Sequence, residues 1–372
     1  MPCVLAVDRM DAREQLRFAL SRVTRGVRRV RRRLVAARWH DLPRHEIPPE
    51  VTIVLDSIPE LGFVRFAGGR VAAISPRECV LPPELRWEPT VDYLAGQALR
   101  HPGFAGEYFV CVYDGWREYS GFVPIAERKC PDWLDIPDRD AFLCPGDRGE
   151  PRFRHVSARP EVYPRLPRRV IAYNRHVDDD DVVLIPDAEY LATGFRSFRR
   201  QVRAHDVAWL EKRPQAVWRG SRNVTVPSTY HDHGTGPKHP RDLAVEFGAT
   251  YPDVLDASFE RTTIADQLRY RYILDLDGAV SAWSATYWKL LSNSVMLKYR
   301  SHWEGWYHRD LKPWVHYVPF ESFHELPAVV GWCREHDDRC RSIATAATEF
   351  ARRLSPTAGF DRVLSSAEIA PP

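Results

Sequence analysis

Residues 270–299 constrain the fold more than any other stretch of the chain. Tyr270 to Leu276, an apolar run with aromatics, has the composition of a buried strand. Asp277-Gly278 follows as a tight turn, and small residues fill 279–282. Trp283, Tyr287, Leu290 and Leu291 then recur at three- and four-residue spacing, the period of one helix face. Ser294 to Tyr299 reads as a second buried strand. Strand, turn, helix and strand in that order predict a βαβ unit. Its turn sets backbone N–H groups at a helix start, where the amides and the helix dipole favour an anion. A phosphate-bearing ligand is the first expectation.

A second strand-to-loop break precedes this unit. Gln215 to Trp218 reads as a strand, broken by Arg219-Gly220-Ser221-Arg222. Glycine lets a ligand approach the backbone, serine offers a hydroxyl, and arginine offers a planar fork for phosphate. The competing reading is a polar turn with its arginines in surface ion pairs. Upstream, Glu50 to Asp56 has strand composition, with a carboxylate at its end and a turn at Ser57 to Pro59. Ligand clefts of open α/β sheets lie beyond strand C-termini, so Asp56 is placed for chemistry. As a turn former or helix cap, it would instead be structural.

The block DGAVSAWSATYWKLLSNSVMLKY, followed by YHRDLKPWVHYVPF, resembles the C-terminal half of glycosyltransferase family 90. The resemblance runs from about Pro48 to Leu354 and is strongest after Trp209. It implies an α/β fold of the GT-B type, two Rossmann-like domains facing across a cleft. The first would span 1–200, with a loop-rich insertion at about 130–181. The second would span 201–372, its last helix crossing back. The resemblance also implies an inverting, metal-independent transfer of glucose or xylose from UDP-glucose or UDP-xylose to a glycan or protein hydroxyl, with no cofactor besides the donor. Asp56 would be the base. Arg219, Gly220, Ser221, Arg222, Asp277, Gly278, Ala279, Val280, Ser281, Ala282, Trp283 and Ser284 would bind the donor. Ser284 departs from the family pattern, which commonly has arginine there, and this removes one expected phosphate contact.

Other motifs are weighed and set aside. Asp275-Leu276-Asp277 has the form of a metal-binding DxD, but Asp277 reads first as the turn residue. His231-Asp232-His233 sits in a glycine-marked loop, where two histidines cannot ligate together as on a strand. The four carboxylates of 178–181 repel one another and read as a solvated loop. HRDLKP at 308–313 copies the kinase catalytic loop, yet Val315 stands where asparagine should be, and the other kinase motifs are missing.

Asp11 to Arg38 predicts one helix with an apolar stripe through Leu16, Leu20, Val23, Val27, Val30 and Leu34, and arginines elsewhere. It reads as a domain helix or as an interfacial helix on anionic lipid. The net charge of +3 argues against a polyanion binder, and no nucleic-acid partner is expected. Seven cysteines without a CxxC fit a reducing compartment, and no signal or membrane-spanning run is seen, so a cytoplasmic protein is expected, at most peripheral to a membrane. Of 53 basic residues only six are lysine, which fits a GC-rich genome. Two alternatives stay open. One is a degenerate relative that only binds glycan; the other is a membrane- or nucleic-acid-associated protein using the arginine-rich helix.

Overall fold

The computed structural model describes residues 39–58, 61–77, 85–112, 123–124, 141–145, 151–156, 166–177, 179–221, 240–260, 262–278, 280–282, 284–301 and 303–355, with Phe360 and Leu364. The predicted helix over 11–38 lies outside them.

Two sheets carry the molecule. The first uses β1 (Trp39–Asp41), β2 (Leu61–Ala67), β3 (Arg70–Ile74) and β4 (Gly106–Cys111). A small antiparallel sheet follows, made of β5 (Val123–Pro124), β6 (Ala141–Pro145) and β7 (Pro151–Val156). The chain then returns to the first sheet with β8 (Val170–Ala172), leaves it for β9 (Asn174–His176) and re-enters with β10 (Val182–Leu184). The order is β1-β3-β2-β4-β8-β10, and β2 runs against its neighbours. The stretch 130–181 is therefore not wholly an insertion, because β8 is an interior strand of the sheet.

One further reading of this half is corrected. The segment 50–56 is helix α1 (Pro49–Ser57), not a strand. Its β-branched residues suggested a strand, but Val51, Val54, Leu55 and Ile58 are the buried positions while Ile53 is exposed. That spacing is a helix face, and Pro49 at the first turn presets the backbone. The span 64–74 is a hairpin, since Gly68 and Gly69 both have positive φ, at 55° and 74°. A two-residue turn of that kind suits the twist of paired strands. Helix α2 (Trp87–Arg100) packs Leu94, Ala95 and Ala98 on this sheet.

After helices α3 (Ala188–Thr193) and α4 (Arg196–His205) comes the second sheet. It is built from β11 (Arg213–Arg219), helix α5 (Pro240–Thr250), β12 (Leu255–Ser258), helix α6 (Ile264–Gln267), β13 (Tyr270–Asp275), helix α7 (Ser284–Leu291) and β14 (Val295–Tyr299). β15 (Trp303–Gly305) leaves the sheet to pair with β9, and β16 (Val318–Phe320) closes it. All pairings in this sheet are parallel, in the order β12-β11-β13-β14-β16. Counting its strands along the chain gives 2-1-3-4-5, a doubly wound sheet. Helices α8 (Leu326–Glu335) and α9 (Asp337–Arg353) follow.

The two sheets are not separately cored. One apolar cluster runs from Leu55, Phe63 and Phe109 of the first half to Tyr287, Leu290, Met296 and Ala351 of the second. Phe360 returns to the first half and packs among Phe66, Tyr93 and Phe104. Among the described residues, no helix is long and apolar enough to cross a membrane.

Candidate functional site

A doubly wound sheet opens a crevice where its strand order reverses, outside the carboxyl ends of the two flanking strands. Here those strands are β11 and β13. Their ends run into Gly220-Ser221 and into Leu276-Asp277-Gly278, the two breaks singled out in the sequence. Arg222, Ala279 and Trp283 lie outside the described residues.

The first loop is shaped by Trp218. A Cβ on Gly220 would sit 2.7 Å from the Trp218 ring, so only glycine lets the chain turn there. Arg219 does not point its fork outward. Its Nη2 pairs with Asp256 Oδ1 at 2.5 Å, and its Nη1 donates to the Asp256 carbonyl at 2.7 Å. Its charge is thus matched by a carboxylate on β12.

The second loop meets a residue that the sequence reading missed. Arg241, in the first turn of α5, donates from Nε to the Asp277 carbonyl at 2.9 Å and from Nη1 to the Ser221 carbonyl at 3.0 Å. One guanidinium therefore ties together the two loops that flank the crevice. It also lies 6.0 Å from the Trp218 ring centre, a cation–π distance. The Gly278 amide, expected to face outward, instead donates to the Val280 carbonyl at 2.9 Å. Val280 and Ser281 are buried, and Ala282 and Ser284 are half-buried.

Beneath this turn lies a charged network with almost no access to water. Asp275 takes Lys289 Nζ at 2.7 Å, Lys298 Nζ at 3.0 Å and the Thr286 hydroxyl at 3.0 Å. Burial alone would raise the Asp275 carboxyl, but the two ammonium groups outweigh it and hold it well below its ordinary 3.8. With its oxygens so engaged, Asp275 anchors lysines and does not serve as the first half of a metal-binding DxD.

Asp277 behaves oppositely. Burial lifts its carboxyl to about 6, against the pull of Lys298, Arg241 and a hydrogen bond from Ser301 Oγ at 2.5 Å, while Asp275 adds to the rise. The folded chain thus holds this proton more tightly than the unfolded one. Stability contributed here is present below about pH 4 and falls as pH rises to about 6, by about 3 kcal/mol. Asp277→Asn is expected to match the parent near pH 4 and to exceed its stability by ~1–3 kcal/mol at pH 7.5. Urea unfolding at both pH values checks this; an equal difference at both would show that Asp277 does not titrate in this range.

The first sheet reaches the same turn. Asn174, which opens β9 two residues past the end of β8, is fully buried and accepts the Ser281 hydroxyl. Its Nδ2 lies 3.4 Å from the Ser281 carbonyl. Ser281 therefore spends its side chain joining the halves. Ser284, the first residue of α7, lies near Glu189 of α3. Burial raises the Glu189 carboxyl and the neighbouring Ser284 hydroxyl partly offsets the rise. Next to the β9–β15 pair, Glu304 binds Arg175 and Arg309, each at 2.7 Å. His308 is driven by burial, then by Lys298, down to about 3, so its ring is neutral.

Asp56 stands apart from this cluster. It lies in the last turn of α1, half-exposed, with Arg44 Nη1 at 2.8 Å and Arg77 Nη2 at 3.2 Å from one carboxylate oxygen. Arg77 follows β3, three strand spacings from β8, roughly 14 Å across the sheet. Both lie on the carboxyl-end side of the sheet.

Comparison with known proteins finds relatives that match part of the chain. Protein O-glucosyltransferase 2 of Danio rerio is 36% identical over 88 residues, covering 23% of this chain and 17% of that protein. The O-glucosyltransferase rumi homolog of Anopheles gambiae is 25% identical over 167 residues, 39% of this chain and 38% of its own. O-glucosyltransferase rumi of Drosophila melanogaster is 24% identical over 165 residues, 40% and 38% respectively. The aligned part thus spans less than two fifths of these relatives. The sequence model of Glycosyl transferase family 90 matches residues 134–357, more than half of the chain, beginning between β5 and β6 in sequence and ending just after α9. On that match, this chain belongs to glycosyltransferase family 90.

Proposed function

We propose that the protein is an inverting, metal-independent glycosyltransferase of GT-B arrangement. It would move glucose or xylose from a UDP-sugar to a hydroxyl of a glycan or protein. The observation that carries this reading is the crevice at β11 and β13, where two strand-end loops are drawn together over buried cations. A departing nucleoside diphosphate gains negative charge, and fixed positive groups in a dry site stabilise it strongly. Lys289, Lys298 and Arg241 stand against Asp275 and Asp277, so the network is net positive even when Asp277 is ionised. Arg219, matched by Asp256, contributes less than its sequence position suggested.

The acceptor hydroxyl needs a base on the opposite face of the sugar. The carboxyl-end side of the first sheet supplies the candidates. Asp56 is one. A second is read from the sequence alone, Asp114 of Tyr113-Asp114-Gly115, three positions after the last residue of β4. Asp114 itself lies outside the described residues.

The test is release of UDP from UDP-glucose and UDP-xylose with glycan and peptide acceptors, in the parent, Asp56→Asn and Asp114→Asn. Loss of turnover by about 10²–10⁴ identifies the base. Unchanged turnover in Asp56→Asn would leave that carboxylate as the ion-pair partner of Arg44 and Arg77. A parent that binds glycan yet releases no UDP from either donor would favour the degenerate relative, a reading motivated by Ser284, whose hydroxyl lies near Glu189 where an arginine is common in the family.

A further inference from the structure

Arg241 is half-buried and donates to two backbone carbonyls on different loops, Ser221 after β11 and Asp277 after β13. We propose that Arg241 is the positioning residue of the nucleoside-diphosphate site, setting the gap between the two loops that flank the crevice. The inference rests on the reading of that crevice as the donor site.

Gly278 carries independent support. Its backbone is not in the left-handed region, so the conformation itself does not demand glycine. A Cβ there would instead lie 2.8 Å from Arg241 Nη2, with the next neighbours at 3.6 Å, on the same guanidinium, and at 3.9 Å. A side chain on the glycine of the Asp-Gly turn would thus push the Arg241 guanidinium out of its present place. The guanidinium and the bare turn form one device: the fork reaches two carbonyls, and the missing side chain lets it approach. Lysine would keep the charge but could not reproduce the planar fork.

The device is tested with UDP itself as the probe, by calorimetry, on the parent, R241K, R241M, G278A and the double variant R241M/G278A. Thermal midpoints are recorded for each. R241K and G278A are expected to weaken UDP binding roughly tenfold or more while their midpoints stay near the parent's. In R241M, adding G278A is expected to cost nothing further, because the nitrogen that a Cβ would meet is gone. UDP binding in R241K and G278A equal to the parent's would overturn the inference and leave the donor-site reading intact. Additive losses in the double variant would also overturn it, since the two positions would then act separately. A parent that binds no UDP would overturn the donor-site reading as well. Should R241M fail to fold, R241K and G278A decide the question by the same criteria.

Discussion

Replacing Asp275 with asparagine is expected to destabilise the fold by about 3–5 kcal/mol, the cost of leaving buried charge uncompensated. The carboxylate is 1% exposed and is shared by two ammonium groups, themselves 6% and 11% exposed. An amide cannot neutralise either lysine, and it offers one acceptor where the carboxylate uses two. The urea midpoint should fall with an unchanged slope. The pH dependence has a definite sign. Because the folded carboxyl lies below its ordinary 3.8, its contribution is present above that value and fades as pH falls further. The gap between parent and variant should therefore stay constant through neutral pH and close only in strong acid. A gap below 1 kcal/mol at pH 7 would show that water reaches the lysines and that the network is not dry.

Tyr287→Ala is the second large effect, at ~3–5 kcal/mol for a fully buried aromatic. Tyr287 is 0% exposed and sits on α7 between the sheets. Its ring centre is 4.7 Å from that of Phe195, and its hydroxyl accepts Arg199 Nε at 2.6 Å. Tyr287→Phe keeps the volume and loses only that bond, so about 1 kcal/mol is expected for it. The shape of unfolding matters as much as the size. Since the same apolar cluster contains residues of both sheets, the alanine variant should still unfold in one transition. Two resolved transitions, with only one displaced, would show that the halves are coupled weakly.

The second half of the chain was largely legible. Its strands are apolar runs ended by Arg219-Gly220 and Asp277-Gly278, and α7 shows its three- and four-residue spacing in the sequence. Local patterns were enough because each strand there is followed by its own helix or loop. The first half misled where composition and spacing disagree. Valine, threonine and isoleucine at 51–54 suggested a strand, while burial at 51, 54, 55 and 58 follows a helix. The Asn174–Ser281 contact and the β9–β15 pair join residues more than a hundred positions apart, which no local pattern encodes.

Arg241 was invisible for a related reason, since a single arginine among many carries no mark. The lysines did carry one. In a chain with six lysines among 53 basic residues, Lys212 and Lys289 are buried ion-pair partners and Lys298 is a largely buried one. Lys212 Nζ reaches Asp206, the Leu268 carbonyl and Ser294. A compact ammonium with three donors fits such corners where a planar guanidinium does not. Scarcity was therefore a signal, and genome composition explained only the background.

The paired strands β9 and β15 carry a consequence for how such chains can diversify. Asn174 to His176 lies against Trp303 to Gly305, so each half completes a piece of the other. A chimaera joining the C-terminal half of one relative to the N-terminal half of another would have to transplant both strands, together with the Arg175–Glu304 pair, as a matched set. Recombination at the linker alone would separate partners that only fit each other, so the two halves are expected to be inherited together.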